Sequence, residues 1–133
     1  MKALIAEDDF ASRKLLQKTL EKHGACDVAV NGQEAVTAFL DAVQKGEKYD
    51  LICLDIMMPE LDGHATLSKI REIEQQKGII GLDGVKIIMV TAMDDPKNVL
   101  GAFREGCEAY ITKPLDRAKL FEHLESFGLV KKP

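Results

Sequence analysis

Five short apolar runs alternate with five longer stretches in which apolar residues recur every three or four positions. The runs are Ala3-Leu4-Ile5-Ala6, Val28-Ala29-Val30, Leu51-Ile52-Cys53-Leu54, Ile87-Ile88-Met89-Val90 and Ala109-Tyr110-Ile111. The first, third and fourth are continuously apolar rather than alternating, the pattern of a parallel strand covered on both faces. Between the runs, Leu15, Leu16 and Leu20 form one helical stripe, and Val36, Phe39, Leu40 and Val43 a second. Leu67, Ile70 and Ile73 form a third, Val99, Leu100 and Phe103 a fourth, and Leu120, Phe121, Leu124 and Phe127 a fifth. Asn31 and Asp116 suit helix N-caps, and Pro96 suits a first helical turn. Gly24, Gly78, Gly106 and Gly128 fall where helices should stop. Strand and helix repeated five times predict an open, doubly wound parallel α/β sheet with helices on both faces. The segment Gly78–Gly84, with three glycines, reads as a longer loop before the fourth strand.

Composition narrows the class. A chain of 133 residues fits one domain and can bury a core without staples. Its 18 basic residues against 22 acidic ones give a net charge of −4, with no basic run beyond Lys131-Lys132. Direct nucleic-acid binding is therefore disfavoured. No apolar stretch approaches the roughly 20 residues that span a bilayer. The run after Met1 is too short for a signal peptide, so a cytoplasmic location is expected. Cys26, Cys53 and Cys107 are odd in number and show no metal-type spacing, so they read as small core residues rather than a disulfide framework or zinc site. His23, His64 and His123 form neither a metal nor a phosphotransfer pattern and read as surface or helix-end residues.

In an open parallel sheet the ligand site lies beyond the carboxyl ends of the strands. Glu7, Asp8 and Asp9 follow the first strand, Asp55 the third, Thr91 the fourth, and Thr112, Lys113 and Pro114 the fifth. No Gly-rich phosphate loop follows any strand, which argues against a nucleotide binder. Asp8, Asp9 and Asp55 crowded together would repel one another and raise each other's pKa. A divalent cation removes that conflict, and Mg2+ suits hard oxygen ligands and a phosphate, with Mn2+ as the alternative ion. Lys113 supplies a point charge for a phosphoryl group and Thr91 a hydroxyl. Singly, Asp9 reads as a helix N-cap, Thr91 as a strand-end residue and Lys113 as a solvated loop lysine. Their coincidence at one sheet edge carries the chemical reading. Asp55 is the hardest to explain as a cap, because Pro59 and Gly63 place the next helix start several residues later.

Four blocks carry a resemblance: Ala6-Glu7-Asp8-Asp9, Leu54-Asp55-Ile56-Met57-Met58-Pro59-Glu60-Leu61-Asp62-Gly63, Val90-Thr91-Ala92 and Ala109-Tyr110-Ile111-Thr112-Lys113-Pro114. Together they resemble the receiver domains of response regulators in two-component signalling, from about Lys2 to about Gly128. The resemblance implies a flavodoxin-like sheet of order 2-1-3-4-5. It implies a receiver over residues 1–128 with a short tail, 129–133, and no output domain. Asp55 then matches the phospho-acceptor. Asp9 and Asp55 would bind Mg2+ directly with the main-chain carbonyl of Met57, and Asp8 through water. Thr91 and Lys113 would contact the phosphoryl oxygens, and Tyr110 would be the aromatic switch. Lys113-Pro114 would be a cis peptide, and Gly63 would close the loop after the acceptor. Met57 and Met93 stand where some relatives carry polar side chains beside the attacking water.

The implied function is a single-domain response regulator that takes a phosphoryl group from a histidine kinase or histidine phosphotransfer protein. It would then change a protein-binding face made by the fourth helix, fifth strand and fifth helix, near Val99, Phe103, Arg104 and Glu108. It would catalyse its own phosphorylation and dephosphorylation rather than act as a metabolic enzyme. Neither nucleic acid nor membrane is an expected partner, and the state is a monomer or a phosphorylation-dependent dimer. Phosphatases of the haloacid-dehalogenase class also use an Asp after a strand, but need a second Asp two residues later, where this chain has Met57. A receiver-shaped binding module would usually lack an acid or the lysine, and all are present here. A scaffolding role beside signalling stays open.

Overall fold

The computed structural model describes residues 1–131. Its strands are β1 (Lys2–Ala6), β2 (Ala25–Ala29), β3 (Leu51–Leu54), β4 (Lys86–Thr91) and β5 (Ala109–Thr112). All neighbouring strands pair in parallel, in the order β2-β1-β3-β4-β5. The helices are α1 (Phe10–Leu20), α2 (Gly32–Gln44), α3 (Gly63–Gln76), α4 (Pro96–Glu105) and α5 (Arg117–Ser126). This is the flavodoxin-like arrangement that the resemblance implied. The glycine-rich loop before β4 contains one 3-10 turn, Gly81–Asp83.

Successive residues of a strand point to opposite faces, so a strand covered on both sides must be apolar throughout. Leu4, Ile52, Ile87 and Met89 face one way, onto Phe39, Leu67, Ile70 and Ala102 of α2, α3 and α4. Ile5, Cys53, Ile88 and Val90 face the other, onto Leu16, Leu20, Leu120 and Leu124 of α1 and α5. Two cores thus sandwich one sheet. Asn31 and Asp116 cap α2 and α5 with their side chains, and Asp9, Asp62 and Asp95 cap α1, α3 and α4 in the same way.

Two expectations change. The second strand is Ala25–Ala29, not Val28–Val30. It is an edge strand that buries only Ala29 fully, with Val28 and Val30 44% and 40% exposed. Pairing with β1 sets its limits, from Lys2↔Ala25 to Ala6↔Ala29, so its own hydrophobicity is a poor guide. The stripe of α4 does not face the core: Ala102 is its one buried residue, while Leu100 and Phe103 are 56% and 45% exposed. The packed chain runs beyond Gly128. Leu129 donates its N–H to the carbonyl of Leu124 at 2.9 Å, and Leu129 and Val130 pack on the α1–α5 side. Of the expected tail, Lys132 and Pro133 lie outside the described residues. Among the described residues no helix is long and apolar enough to cross a membrane.

Candidate functional site

Parallel register decides which side chains meet at the carboxyl edge. Ala6 pairs with Leu54, so Glu7 and Asp55, each one residue further on, emerge side by side. Thr91 pairs with Thr112, which sets Lys113 just past the end of β4. Main-chain bonds extend the pairing beyond the strands: Asp55 N–H to the Ala6 carbonyl at 3.1 Å, and Lys113 N–H to the Thr91 carbonyl at 2.7 Å.

One carboxylate oxygen each from Glu7, Asp8 and Asp55 lies within 4.8 Å of the others; Glu7 and Asp55 are buried and Asp8 is exposed. The Lys113 ammonium donates to Oδ2 of Asp55 at 2.9 Å and to Oε1 of Glu7. The Met57 N–H donates to Oδ1 of Asp55 at 3.3 Å. Thr91 is fully buried, and its hydroxyl oxygen accepts from the Met93 N–H at 3.3 Å. The Lys113–Pro114 peptide is cis. The Gly63 N–H donates to the Ile56 carbonyl at 2.8 Å, and closes the loop after Asp55.

Asp9 is not in this group. Its Oδ2 accepts from the Ser12 N–H at 2.9 Å as the cap of α1, and that bond lowers its pKa. Asp9 turns its side chain to the first amides of α1, so the residue that stands beside Asp55 is Glu7. Strand register could have found it: the first residue past one strand neighbours the first residue past the adjacent strand. The other displaced residue is Glu108. It accepts from Arg71 of α3 at 2.9 Å and from the Ile87 N–H at 2.6 Å, at the opposite end of β5 from Lys113.

Burial is the main cause that pushes the Glu7 carboxyl up to about 7; Lys113 opposes it and the neighbouring Asp55 adds to it. Burial works the same way on Asp55, but bonds from Glu7, Lys113 and Thr91 outweigh it and hold Asp55 below the ordinary carboxylate value. Burial works against the Lys113 charge, yet its bonds to Glu7 and Asp55 raise its pKa. Three acids with one ammonium leave surplus negative charge among oxygen donors alone. That donor set fits a hard cation such as Mg2+.

The surroundings separate the remaining residues. Met57 is 62% exposed and lines, with Asp8, Asp55 and Pro59, an open cleft of about 640 Å3. Met93 packs instead against the α2–α4 core. Tyr110 is half-buried on the same core, and its hydroxyl donates to the Met93 carbonyl.

Residues 3–125 match the response regulator receiver domain family. Hybrid signal transduction histidine kinase L of Dictyostelium discoideum is 34% identical over 132 residues, covering 96% of this chain and 7% of that protein. Among solved structures, a CheX–CheY–BeF3–Mg complex from Borrelia burgdorferi superposes with a TM-score of 0.81 at 30% identity, covering 98% of this chain and 90% of the other. The co-crystal of the Saccharomyces cerevisiae phosphotransfer protein Ypd1 with the receiver domain of Ssk1 gives 0.82 at 31% identity, covering 96% and 88%. The chain belongs to the response regulator receiver domain family, whose members act in two-component phosphorelays. It spans less than half the length of the curated relatives it matches.

Proposed function

We propose that Asp55 accepts a phosphoryl group from a phosphohistidine on a kinase or phosphotransfer protein, and that the new charge remodels the face formed by α4, β5 and α5. One observation carries this reading. Asp55 is a buried carboxylate directly beyond an all-apolar strand, with the Lys113 ammonium at 2.9 Å and the oxygens of Glu7 and Asp8 beside it. An Asp55 oxygen attacks phosphorus, the P–N bond breaks and the imidazole leaves. The chain's task is positioning and charge stabilisation. Lys113 turns from the two carboxylates to the transferred oxygens, and the Thr91 hydroxyl gives up its Met93 contact to do the same. Asp8, Asp55 and the main-chain carbonyl of Met57 would hold Mg2+, with Glu7 in the second acidic position in place of Asp9. The ion, when bound, neutralises charge on the phosphoryl oxygens.

The acyl phosphate brings about −1.5 to −2 charges into a cluster already negative. A shift of Thr91 disturbs the loop whose Met93 carbonyl anchors Tyr110. That loop leads into α4, where Leu100 and Phe103 stand exposed for a protein target. New contacts thereby bias a two-state element.

Incubation with Mg2+ and acetyl phosphate should add one phosphoryl group by intact mass, and Asp55→Ala or chelator should abolish the gain. No gain in the parent, or an equal gain in the Ala variant, overturns the proposal. A second prediction concerns lifetime. Neither Met57 nor Met93 can orient an attacking water, so phospho-Asp55 should decay slowly. Met57→Asn, at the open mouth of the cleft, should shorten its half-life several-fold. Met93→Glu tests the same idea less cleanly, because it places a charge against the core. Equal decay of both variants and the parent would contradict the idea.

A further inference from the structure

His64, the second residue of α3, is a helix-end residue as expected, but its ring makes specific contacts across to α4. Its ring lies against α4 at Gly101, where an added Cβ would stand 3.5 Å from His64 Cε1. Nδ1 meets Oε1 of Glu105, and Nε2 stands 2.8 Å from Oδ1 of Asn98. Both partners are acceptors. The Asn98 amide is oriented by its own Nδ2, which donates to Oδ1 of Asp95 at 2.7 Å, so its oxygen faces the ring. A neutral imidazole has one N–H and can satisfy one of these bonds, whereas an imidazolium satisfies both.

We infer that His64 acts as an imidazolium clasp that ties the first turn of α3 to both ends of α4, and that its deprotonation loosens α4. Two acids act directly on the ring, Glu105 and Asp62 at the start of α3, and a third, Asp95, stands behind Asn98. Among the described residues, Glu105 makes no other ion pair. Burial works against charge on the ring, but the bonds to Asn98 and Glu105 hold its pKa above the ordinary histidine value. A histidine raised on folding gives stability that is full below its unfolded pKa and lost as pH rises through the folded one. Between its two caps the helix has few buried side chains to hold it. Ala102 is its one buried residue, and a glycine in mid-helix weakens it by about 1 kcal/mol. Its C-terminal cap is secured separately, by Arg71 donating to the Gly106 carbonyl at 2.8 Å. Loosening should therefore centre on Asn98–Phe103.

The clasp links the start of α3, directly after the acceptor loop, to the helix that exposes Leu100 and Phe103. Its regulatory meaning rests on the phosphoryl-acceptor reading; the clasp itself does not. The test accordingly uses the full chain without phosphodonor. In a pH titration by NMR, the His64 Cε1–H should titrate above the ordinary histidine value. The Asn98–Phe103 amides should shift with the same midpoint. Amide exchange there, corrected for intrinsic rates, should rise roughly tenfold above that midpoint, as the loss of one charged hydrogen bond implies. Glu105→Gln should lower the midpoint, and His64→Gln should leave α4 exchange fast at every pH. The parent titration needs no variant, so a misfolded variant leaves the test intact. An α4 that ignores the His64 midpoint, or a midpoint unmoved by Glu105→Gln, overturns the clasp. Either result leaves phosphoryl uptake by Asp55 to stand or fall on its own measurement.

Discussion

Lys113→Met should slow phosphoryl uptake from acetyl phosphate by about 10²–10³-fold, the usual loss when one preorganised charge donor is removed from a reacting oxygen. The ammonium bridges Asp55 and Glu7 before reaction, and no second cation pairs with either among the described residues. Methionine keeps the length and the apolar stem but not the charge. The variant should also lose thermal stability without metal, because two buried carboxylates are left facing one another. Added Mg2+ should restore much of that stability by replacing the missing positive charge, while the uptake rate stays low. Intact-mass time courses and melting curves with and without Mg2+ separate the two effects. An uptake rate equal to the parent's would reduce Lys113 to an ion-pair partner of the resting site.

Much of this was legible because burial on both faces writes itself into a strand. β3 and β4 cannot alternate, since each residue meets one of two cores, and Asp55 and Thr91 are legible as the points where those runs end. The chemistry at the edge was harder. Three consecutive acids follow β1, and composition alone does not say which of them faces Asp55. The answer lies in strand register, Ala6 beside Leu54, and in the helix that begins at Phe10 and takes Asp9 as its cap. Pattern also failed at the sheet margin. β2 has one neighbour and few buried positions, so its limits come from β1. In α4 the apolar spacing is real, but the stripe points outward. A periodic face tells which residues share a side of a helix, not whether that side meets the core or a partner.

Gly63→Ala should be severely damaging for a single-methyl change near the site. A Cβ at Gly63 would stand 2.3 Å from the Asp55 carbonyl oxygen and 2.6 Å from Ile56 Cα, main-chain atoms that cannot swing aside. Gly32, the first residue of α2, is tighter still against the other end of the same loop, with Leu61 O at 2.0 Å. Two helix starts therefore clamp Asp55–Leu61 between them, and the missing methyl groups are what let them approach. Overpacking of this kind costs about 1–3 kcal/mol, and the upper end applies where backbone must move. A fall in melting temperature on the order of 10 °C should follow. Gly101→Ala is the control. Its added methyl meets nothing closer than 3.5 Å, so normal helix propensity should stabilise α4 by about 0.5–1 kcal/mol. The displaced loop carries Asp55 and Met57, so uptake should fall in Gly63→Ala well below the folded temperature limit, and Gly101→Ala should keep the parent rate. If Gly63→Ala lost stability but retained that rate, the clamp would serve the fold alone, and the placement of Asp55 would rest on its strand and on Lys113.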